Sequence, residues 1–123
     1  MKNYLAIDYG EAKIGLAHKI GDNPVVPSDI IANTSVDDSL HYLANLIIEK
    51  EIDVVVIGLP LTMKGEVGSQ AEIVKSFGKK LHQKTKIEVK YSDERLTSKL
   101  FPGEDDDNLA AMNILGNYLN RNT

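Results

Sequence analysis

Four acidic residues stand where predicted strands and helices begin or end. Asp8 ends the apolar run that opens the chain. Asp93 and Glu94 end a later alternating run, and Asp107 opens a final helical pattern. Carboxylate oxygens are the ligands that Mg²⁺ and Mn²⁺ prefer, and two such ions close together can activate a water molecule that hydrolyses a phosphodiester bond. The acidic residues together therefore predict a site for Mg²⁺ or Mn²⁺ and a hydrolytic reaction on phosphate esters.

Each of these acidic residues also has a purely structural interpretation. Asp8 can form an Asx turn with the residues that follow it. Asp93 can cap the turn after its strand, and Glu94 can pair with a nearby cation. Asp107 can simply complement the dipole of the last helix. However, Asp107 also continues the apolar stripe of that helix, four residues before Ala111, and a carboxylate on a buried face needs compensation such as a cation provides.

A glycine-containing loop and one arginine suit the binding of phosphate. The loop follows a predicted buried strand and precedes a helix, which is where open α/β sheets bind ligands. Its glycines would let the backbone approach a phosphate and its lysine would supply positive charge, although the glycines are equally explained as turn formers. An arginine can bind phosphate through two parallel hydrogen bonds. The candidate residues are Gly58, Pro60, Lys64, Gly65 and Arg95.

The elements that must position these residues form an α/β domain. Apolar and alternating patterns predict three strands followed by helix, strand, helix, strand and helix. This order is typical of a mixed sheet of about five strands, the first three antiparallel and the rest parallel, flanked by helices. We expect a single domain over residues 1–123. The predicted strands are 3–8, 13–19, 25–32, 52–58 and 87–91, and the helices begin at Thr34 or Ser35, at Ser69 and near Asn108.

Local patterns add detail to three of these elements. The glycine of Asp8-Tyr9-Gly10 is expected to turn the first strand into a hairpin with the second. The run from Ile52 to Gly58 is apolar and rich in β-branched residues, which predicts a central parallel strand buried on both faces. Ser69 and Glu72 have the spacing of a capping box, which predicts that Ser69 caps the helix that follows.

The composition is that of an ordinary globular domain. Of the 123 residues, 42% are hydrophobic and 26% are charged, as is usual for soluble proteins. The chain has no cysteine, which excludes disulfides and zinc–thiolate sites. No apolar stretch approaches the roughly 20 residues of a membrane span, and the start lacks the pattern of a signal peptide. We therefore expect a cytoplasmic protein that does not enter a membrane.

The charge is acidic in total but uneven along the chain. The formal net charge is −4 and the pI is about 5.3, whereas nucleic-acid-binding domains usually carry a basic surface. Six of the twelve lysines nevertheless lie between Lys75 and Lys90, while 104–107 is a run of four acids. The lysines are either a solvated helix face or a surface that follows a phosphate backbone. The three histidines lack partner spacing and are interpreted as surface or packing residues.

Four blocks of the sequence, in order, resemble the YqgF/RuvX family, whose members are similar to the RuvC Holliday junction resolvases and share the ribonuclease H-like fold. The resemblance spans essentially the whole chain. It implies a metal-dependent nuclease that matures the small-subunit ribosomal RNA precursor. It also implies Asp8, Glu94 and Asp107 as catalytic metal ligands, with Asp93 as a fourth ligand or a substitute. The blocks are Asp8–Gly10 with Lys13–Ala17, then Gly58–Pro60, then Asp93–Ser98, then Asp107 with Ala110–Ala111 and Ile114–Leu115.

For such a nuclease we expect a substrate of structured RNA or branched DNA. A symmetric junction as substrate would require a homodimer. The chain departs from the family at Lys13, where an arginine is common, and at 100–106, which is short and acidic where relatives carry a longer, often basic segment. If the last helix begins early, Asp105 or Asp106 takes the place of Asp107. The expected substrate-binding residues are Gly10, Lys13, Gly58, Pro60, Lys64, Gly65 and Arg95.

Two other functions compete with the nuclease. The acidic charge and the short 100–106 segment favour a module that binds nucleic acid or the ribosome without catalysis. Actin-like and sugar-kinase-like ATPases also open with a strand, an aspartate and a glycine-rich turn. This chain is too short for their paired domains, and it has no second phosphate-binding motif.

Overall fold

The computed structural model describes residues 1–62, 64–94 and 107–121. Within these ranges the chain forms five strands and three helices, in the predicted order. The strands are β1 (Tyr4–Tyr9), β2 (Lys13–Lys19), β3 (Val26–Ala32), β4 (Val54–Leu59) and β5 (Glu88–Asp93), and the helices are α1 (Val36–Glu49), α2 (Ser69–Thr85) and α3 (Asp107–Arg121).

The strands form one sheet in the order β3-β2-β1-β4-β5. β1 pairs antiparallel with β2, and β2 pairs antiparallel with β3. β4 pairs in parallel with β1 on one side and with β5 on the other. The predicted mixed sheet is therefore confirmed, including its central strand. All six residues of β4 are buried, as its continuous apolar sequence requires.

The helices cover the two faces of the sheet unequally. On one face, called here the α1/α2 face, large side chains such as Leu5, Ile7, Leu43 and Phe77 form the larger core. On the other face, called the α3 face, α3 packs on a smaller core formed by Ala6, Ala17, Val54, Val56, Ala111, Ile114 and Leu115. Side chains alternate along each strand, so β1 contributes its large residues to one core and its alanine to the other.

Two local predictions are wrong in detail. Helix α2 begins at Ser69 as predicted, but its cap is Gly68, whose backbone is extended and which makes no side-chain hydrogen bond. The prediction that Ser69 caps the helix is therefore wrong. Ile52 does not begin β4, because its N–H donates to the carbonyl of Ile47 at 3.0 Å and so completes the end of α1. The cap of α1 agrees with the prediction, since the Ser35 side chain accepts a hydrogen bond from the N–H of Asp38.

Among the residues that the structure describes, no helix combines the length and the apolar character needed to cross a membrane.

Candidate active site at the carboxyl edge of the sheet

Strand register brings distant residues to one edge of the sheet. The parallel pairing of β1 with β4 aligns Ile7 with Ile57, and the pairing of β4 with β5 aligns Gly58 with Ser92. Asp8 therefore lies beside Gly58, and Glu94 follows directly after β5. The N–H of Glu94 donates to the carbonyl of Leu59 at 3.2 Å, which holds it against the end of β4. Because side chains alternate along a strand, Asp8 and Gly58 belong to the α3 face.

Asp8 and Glu94 line one cleft, with a volume of about 350 Å³. The cleft lies between the ends of β1, β4 and β5 and the first turns of α3. The two carboxylates that the sequence places far apart therefore share one cavity. Besides them, the lining residues are Tyr9, Gly58, Pro60, Gln70, Ala110, Asn113 and Ile114.

Gly58 allows the cleft to form. A Cβ atom at this position would lie 2.6 Å from Cδ1 of Ile114 and 3.3 Å from Cγ of Glu94. The first distance is shorter than any normal contact, so a side chain here would displace Ile114, Glu94 or both. The missing side chain thus lets α3 lie close to the end of β4 and lets Glu94 reach the cavity.

The surroundings of Glu94 alter the pKa of its carboxyl. Burial is the main cause that raises the pKa of its carboxyl above the usual range, and the negative charges of Asp8 and Asp93 raise it further. A hydrogen bond from Ser92 and the positive charge of Arg121 act in the opposite direction. The raised pKa therefore reflects mainly the removal of this carboxylate from water.

A chain of hydrogen bonds connects this carboxylate to the end of α3. Nη1 of Arg121 donates to Oγ of Ser92 at 3.1 Å and to the backbone carbonyl of Asp93 at 3.1 Å. Ser92 is 2% exposed, and its side chain is hydrogen-bonded to Glu94. Arg121 and Ser92 therefore hold Glu94 in position from the side away from the cleft.

One feature of the Glu94 carboxylate suits a bound divalent cation. Among the residues that the structure describes, Oε2 of Glu94 is buried and has no hydrogen-bond partner. Such an atom is costly unless something compensates it, and a cation shared with Asp8 would do so. Hard divalent ions are bound by carboxylate oxygens together with water. The donor set of the cleft is therefore suitable for Mg²⁺ or Mn²⁺.

The third predicted ligand is only partly described. Asp107 is the first residue of α3, one turn before Ala110, which lines the cleft. The side chain of Asp107 lies outside the described part of the structure. Among the side chains that are described, no group of three or more His, Cys, Asp or Glu residues is arranged to hold a metal ion. The described cleft thus supplies two carboxylates.

Asp93 and Glu94, between which the sequence left the choice of ligand open, lie in different places. Glu94 lines the cleft and Asp93 does not. Asp93 is the last residue of β5 and pairs with Leu59, so alternation turns it away from the α3 face. Its negative charge still acts on Glu94.

The remaining predicted residues are not all at the cleft. Pro60 lines it, whereas Lys13 and Lys64 are exposed and do not. Gly10 closes the β1–β2 turn, since its N–H donates to the carbonyl of Lys13 at 3.0 Å and a Cβ atom would lie 2.6 Å from that oxygen. Gly65 has a φ of 83°, and its N–H donates to Thr62, so it serves a turn. Arg95 lies outside the described residues.

Sequence reasoning missed two amide side chains of the cleft, Gln70 and Asn113. Asn113 stands three residues after Ala110, so helical spacing on α3 could have indicated it. Nδ2 of Asn113 donates to the carbonyl of Leu109 at 3.1 Å. Gln70 follows the first residue of α2, and no local pattern indicates it, because its position depends on how the β4–α2 connection returns to the sheet.

The mixed five-stranded sheet with helices on both faces has the ribonuclease H-like fold. The structure resembles that of RuvC from Thermus thermophilus in complex with a Holliday junction substrate, with a TM-score of 0.68 over 93% of this chain and 90% of that one. A second RuvC structure from the same organism gives the same TM-score over 98% of this chain and 97% of the other. Sequence identity is 9% in both cases, so the likeness concerns the fold.

The chain belongs to the RuvX family, described as Holliday junction resolvases, whose family model matches residues 2–101. It is 34% identical over 95 residues to a protein of Synechocystis sp. named "Putative pre-16S rRNA nuclease". It is 39% identical over 95 residues to a Chloroflexus aurantiacus protein of the same name. In both comparisons the match covers 76% of this chain and 62% of the relative.

The extent of these matches matters for the site. The chain spans about three fifths of the length of these curated relatives. The family match includes Asp8 and Glu94 but ends at residue 101, before Asp107 and all of α3. The expectation that the resemblance spans essentially the whole chain is therefore too broad, since the match reaches only 2–101.

Proposed function

We propose that this chain is a metal-dependent endonuclease that hydrolyses phosphodiester bonds in structured nucleic acid, and that its substrate is the small-subunit ribosomal RNA precursor. One observation carries the proposal: Asp8 and Glu94 share a cleft in which Oε2 of Glu94 is buried without a hydrogen-bond partner in the described part of the chain. Membership of the RuvX family and the names of the relatives support the substrate. Maturation of ribosomal RNA also supports a cytoplasmic location.

We assign Asp8 and Glu94 as ligands for Mg²⁺ or Mn²⁺, with Asp107 as the third ligand. Asp93 acts on the site through its charge. Ions bound by these carboxylates would activate a water molecule and stabilise the departing oxygen of the phosphodiester. The amides of Gln70 and Asn113 line the same cleft, and we assign them to hydrogen bonds with phosphate oxygens.

Positive charge for the nucleic-acid backbone comes from outside the cleft. Lys13 and Lys64 are exposed near the same edge of the sheet, and we assign them, with Arg95, to contacts with phosphates along the strand. Such contacts add affinity that weakens as salt increases. Action on a symmetric four-way junction would require two copies of the chain, because two strands must be cut.

Cleavage of a precursor ribosomal RNA fragment in the presence of Mg²⁺ or Mn²⁺ tests the proposal. Asp8→Asn removes one ligand charge while keeping the shape of the side chain. Loss of several kcal/mol of transition-state stabilisation corresponds to a rate lower by roughly 10³-fold. Asp22→Asn, at an exposed aspartate in the β2–β3 turn, is the matched control and should cleave like the wild type.

The outcome separates the nuclease from a non-catalytic module. Equal cleavage by Asp8→Asn and the wild type would refute the site. Binding of the RNA without cleavage in either metal would favour a binding module in place of the enzyme. Metal binding gives a second readout, because Mn²⁺ titration followed by electron paramagnetic resonance should detect a site in the wild type that Asp8→Asn and Glu94→Gln each weaken.

A further inference from the structure

A second pocket lies beside the cleft, on the α1/α2 face. Its volume is about 410 Å³, a size that accommodates a small planar ligand, and it lies between the start of α1, the tip of β1 and the first half of α2. Tyr9, Val36, Ile73 and Phe77 form its apolar wall. The site described above uses none of these side chains for metal binding or chemistry.

The pocket and the cleft are immediate neighbours. Tyr9 lines both cavities. Asp8 lines the cleft directly before Tyr9 in the chain, and Gln70 lines the cleft directly after Ser69, which lines the pocket. Consecutive Cα atoms are about 3.8 Å apart, so the two cavities lie close together at the same edge of the sheet, on its two sides. A nucleotide whose phosphate lies in the cleft therefore has its base within reach of the pocket.

The walls of the pocket have the chemistry that holds a nucleobase. The partly exposed ring of Tyr9 packs on the buried ring of Phe77, with centroids 4.2 Å apart and planes 33° apart, so Tyr9 presents a supported aromatic surface. Ile73 is 48% exposed beside it. Bases stack on such surfaces with about 1–3 kcal/mol each, largely independent of sequence.

Polar groups at the rim fit the remaining parts of a nucleotide. Glu72 and Ser76 line the pocket. The carboxylate of Glu72 can accept hydrogen bonds from the edge of a base, and the hydroxyl of Ser76 can donate or accept them. Lys80 lines it as well, and Lys75 and Lys79 are exposed on the same helix. Lys80 can supply the positive charge that attracts a neighbouring phosphate.

We propose that this pocket holds an unpaired nucleobase of the substrate strand, next to the phosphodiester bound in the cleft. The proposal rests on the proposed nuclease function and deepens it, because it makes an unpaired nucleotide beside the scissile bond a requirement for efficient cleavage. A base inside a duplex is stacked and paired and cannot enter. Single-stranded loops, bulges and ends expose their bases to aromatic side chains.

Binding of a short single-stranded RNA that carries one 2-aminopurine tests the pocket, since stacking changes the fluorescence of that base. The wild type should change the fluorescence of the single strand and leave that of the matching duplex unaltered. Ile73→Glu should bind the single strand about tenfold more weakly, as expected for the loss of one stacked base. Ile48→Glu is the matched control, because Ile48 is 75% exposed on α1, away from the pocket.

Cleavage of substrates with one abasic nucleotide gives a second measurement. When the abasic nucleotide occupies one particular position next to the scissile bond, kcat/KM of the wild type should fall about tenfold. Ile73→Glu should show no further loss with that abasic substrate, because the pocket has already lost its ligand.

The two proposals fail in different ways. Unchanged fluorescence together with equal cleavage of every abasic substrate would overturn the pocket and leave the nuclease intact. A change in fluorescence that Ile73→Glu abolishes, in a protein that does not cleave, would support the pocket and refute the nuclease. Absence of RNA binding by the wild type would overturn both.

Discussion

The two faces of the sheet are built from the same strands but for different purposes. On the α1/α2 face, Leu5 and Ile7 of β1 and Ile14 and Leu16 of β2 are fully buried under two helices. On the α3 face, the alternate positions of these strands hold small residues, among them Ala6 and Ala17. Small side chains bring a helix closer to a sheet but bury less apolar area, so the α3 face contributes less to stability.

This difference shows what the α3 face gains from its thinner core. Gly58 is another small residue on this face, at the carboxyl edge of the sheet. Ile114 and Glu94 occupy the space that a side chain would need there. Asp8 extends the same row on β1. The close approach of α3 thus creates a cleft that holds two carboxylates, while the opposite face supplies the main hydrophobic core. We therefore expect some mutations to change the stability of the protein without changing metal binding.

The largest expected effect comes from the cores themselves. Leu43→Ala on α1 removes a fully buried side chain and should lower the free energy of unfolding by about 2–5 kcal/mol. Mn²⁺ affinity of the folded protein should not change. Leu115→Ala on α3 should cost stability and weaken Mn²⁺ binding, because α3 forms one wall of the cleft. Urea denaturation and Mn²⁺ titration measure both quantities, and equal loss of Mn²⁺ affinity in the two variants would break the comparison.

Two glycines provide a sharper version of the same test. Gly58→Ala forces a Cβ atom against Ile114 and Glu94, and Gly78→Ala forces one against Tyr91 on the opposite face. Overpacking of this kind costs about 1–3 kcal/mol, offset at Gly78 by about 1 kcal/mol of helix propensity. Both variants should unfold at lower temperature, but only Gly58→Ala should weaken Mn²⁺ binding. Unaltered Mn²⁺ affinity in Gly58→Ala would contradict the role of this glycine.

Ser92 offers a smaller and more local change within the α3 face. Ser92→Ala breaks the hydrogen-bond chain from Arg121 to Glu94, and loss of a group that orients a metal ligand lowers metal affinity by roughly 10-fold or more. Ser92→Thr keeps the hydroxyl and should restore the affinity. Rescue by threonine distinguishes positioning of Glu94 from a general packing defect, and Mn²⁺ titration of both variants measures it.

The smallest expected effect is a pH dependence of stability without metal. Burial raises the pKa of Glu94 in the folded state, so the unfolded state releases this proton at lower pH. As pH rises from the unfolded pKa of Glu94 through its folded pKa, this residue therefore makes the folded state less stable. Glu94→Gln should remove that loss and raise the Tm in EDTA at neutral pH.

In saturating Mn²⁺ the wild type should have a higher Tm than Glu94→Gln, because bound metal stabilises only a folded state that binds it. Scanning calorimetry in EDTA and in Mn²⁺, at several pH values, measures the difference. A wild type more stable than Glu94→Gln in EDTA at neutral pH would mean that the described side chains already compensate the carboxylate.

Much of the architecture could be predicted because the relevant signals are local. The apolar, β-branched run of β4 predicted a central buried strand, and the serine cap of α1 was recognisable from residue type. The prediction of the α2 cap failed because the local sequence allows either Gly68 or Ser69 to cap the helix. Ser69 has the spacing of a capping box, yet the extended backbone of Gly68 provides the cap.

The chemistry of the candidate site could be predicted from the sequence, but not all of the residues that form it. Asp8 and the Asp93–Glu94 pair were evident as acids at strand ends. Only the register of β5 against β4 directs Glu94 to the cleft and Asp93 away from it. Gln70 could not be predicted, because its place at the cleft depends on the path of the β4–α2 connection.

By itself, the amino-acid sequence determined the elements, their order, the family and the acidic residues capable of binding a cation, since these depend on residue type and short-range periodicity. The tertiary structure decided which of these residues meet. Strand pairing and the seating of α3 on small side chains bring Asp8, Gly58 and Glu94 together, and these contacts join positions far apart in the chain. No local pattern specifies such distances, because they arise only when the two cores are packed.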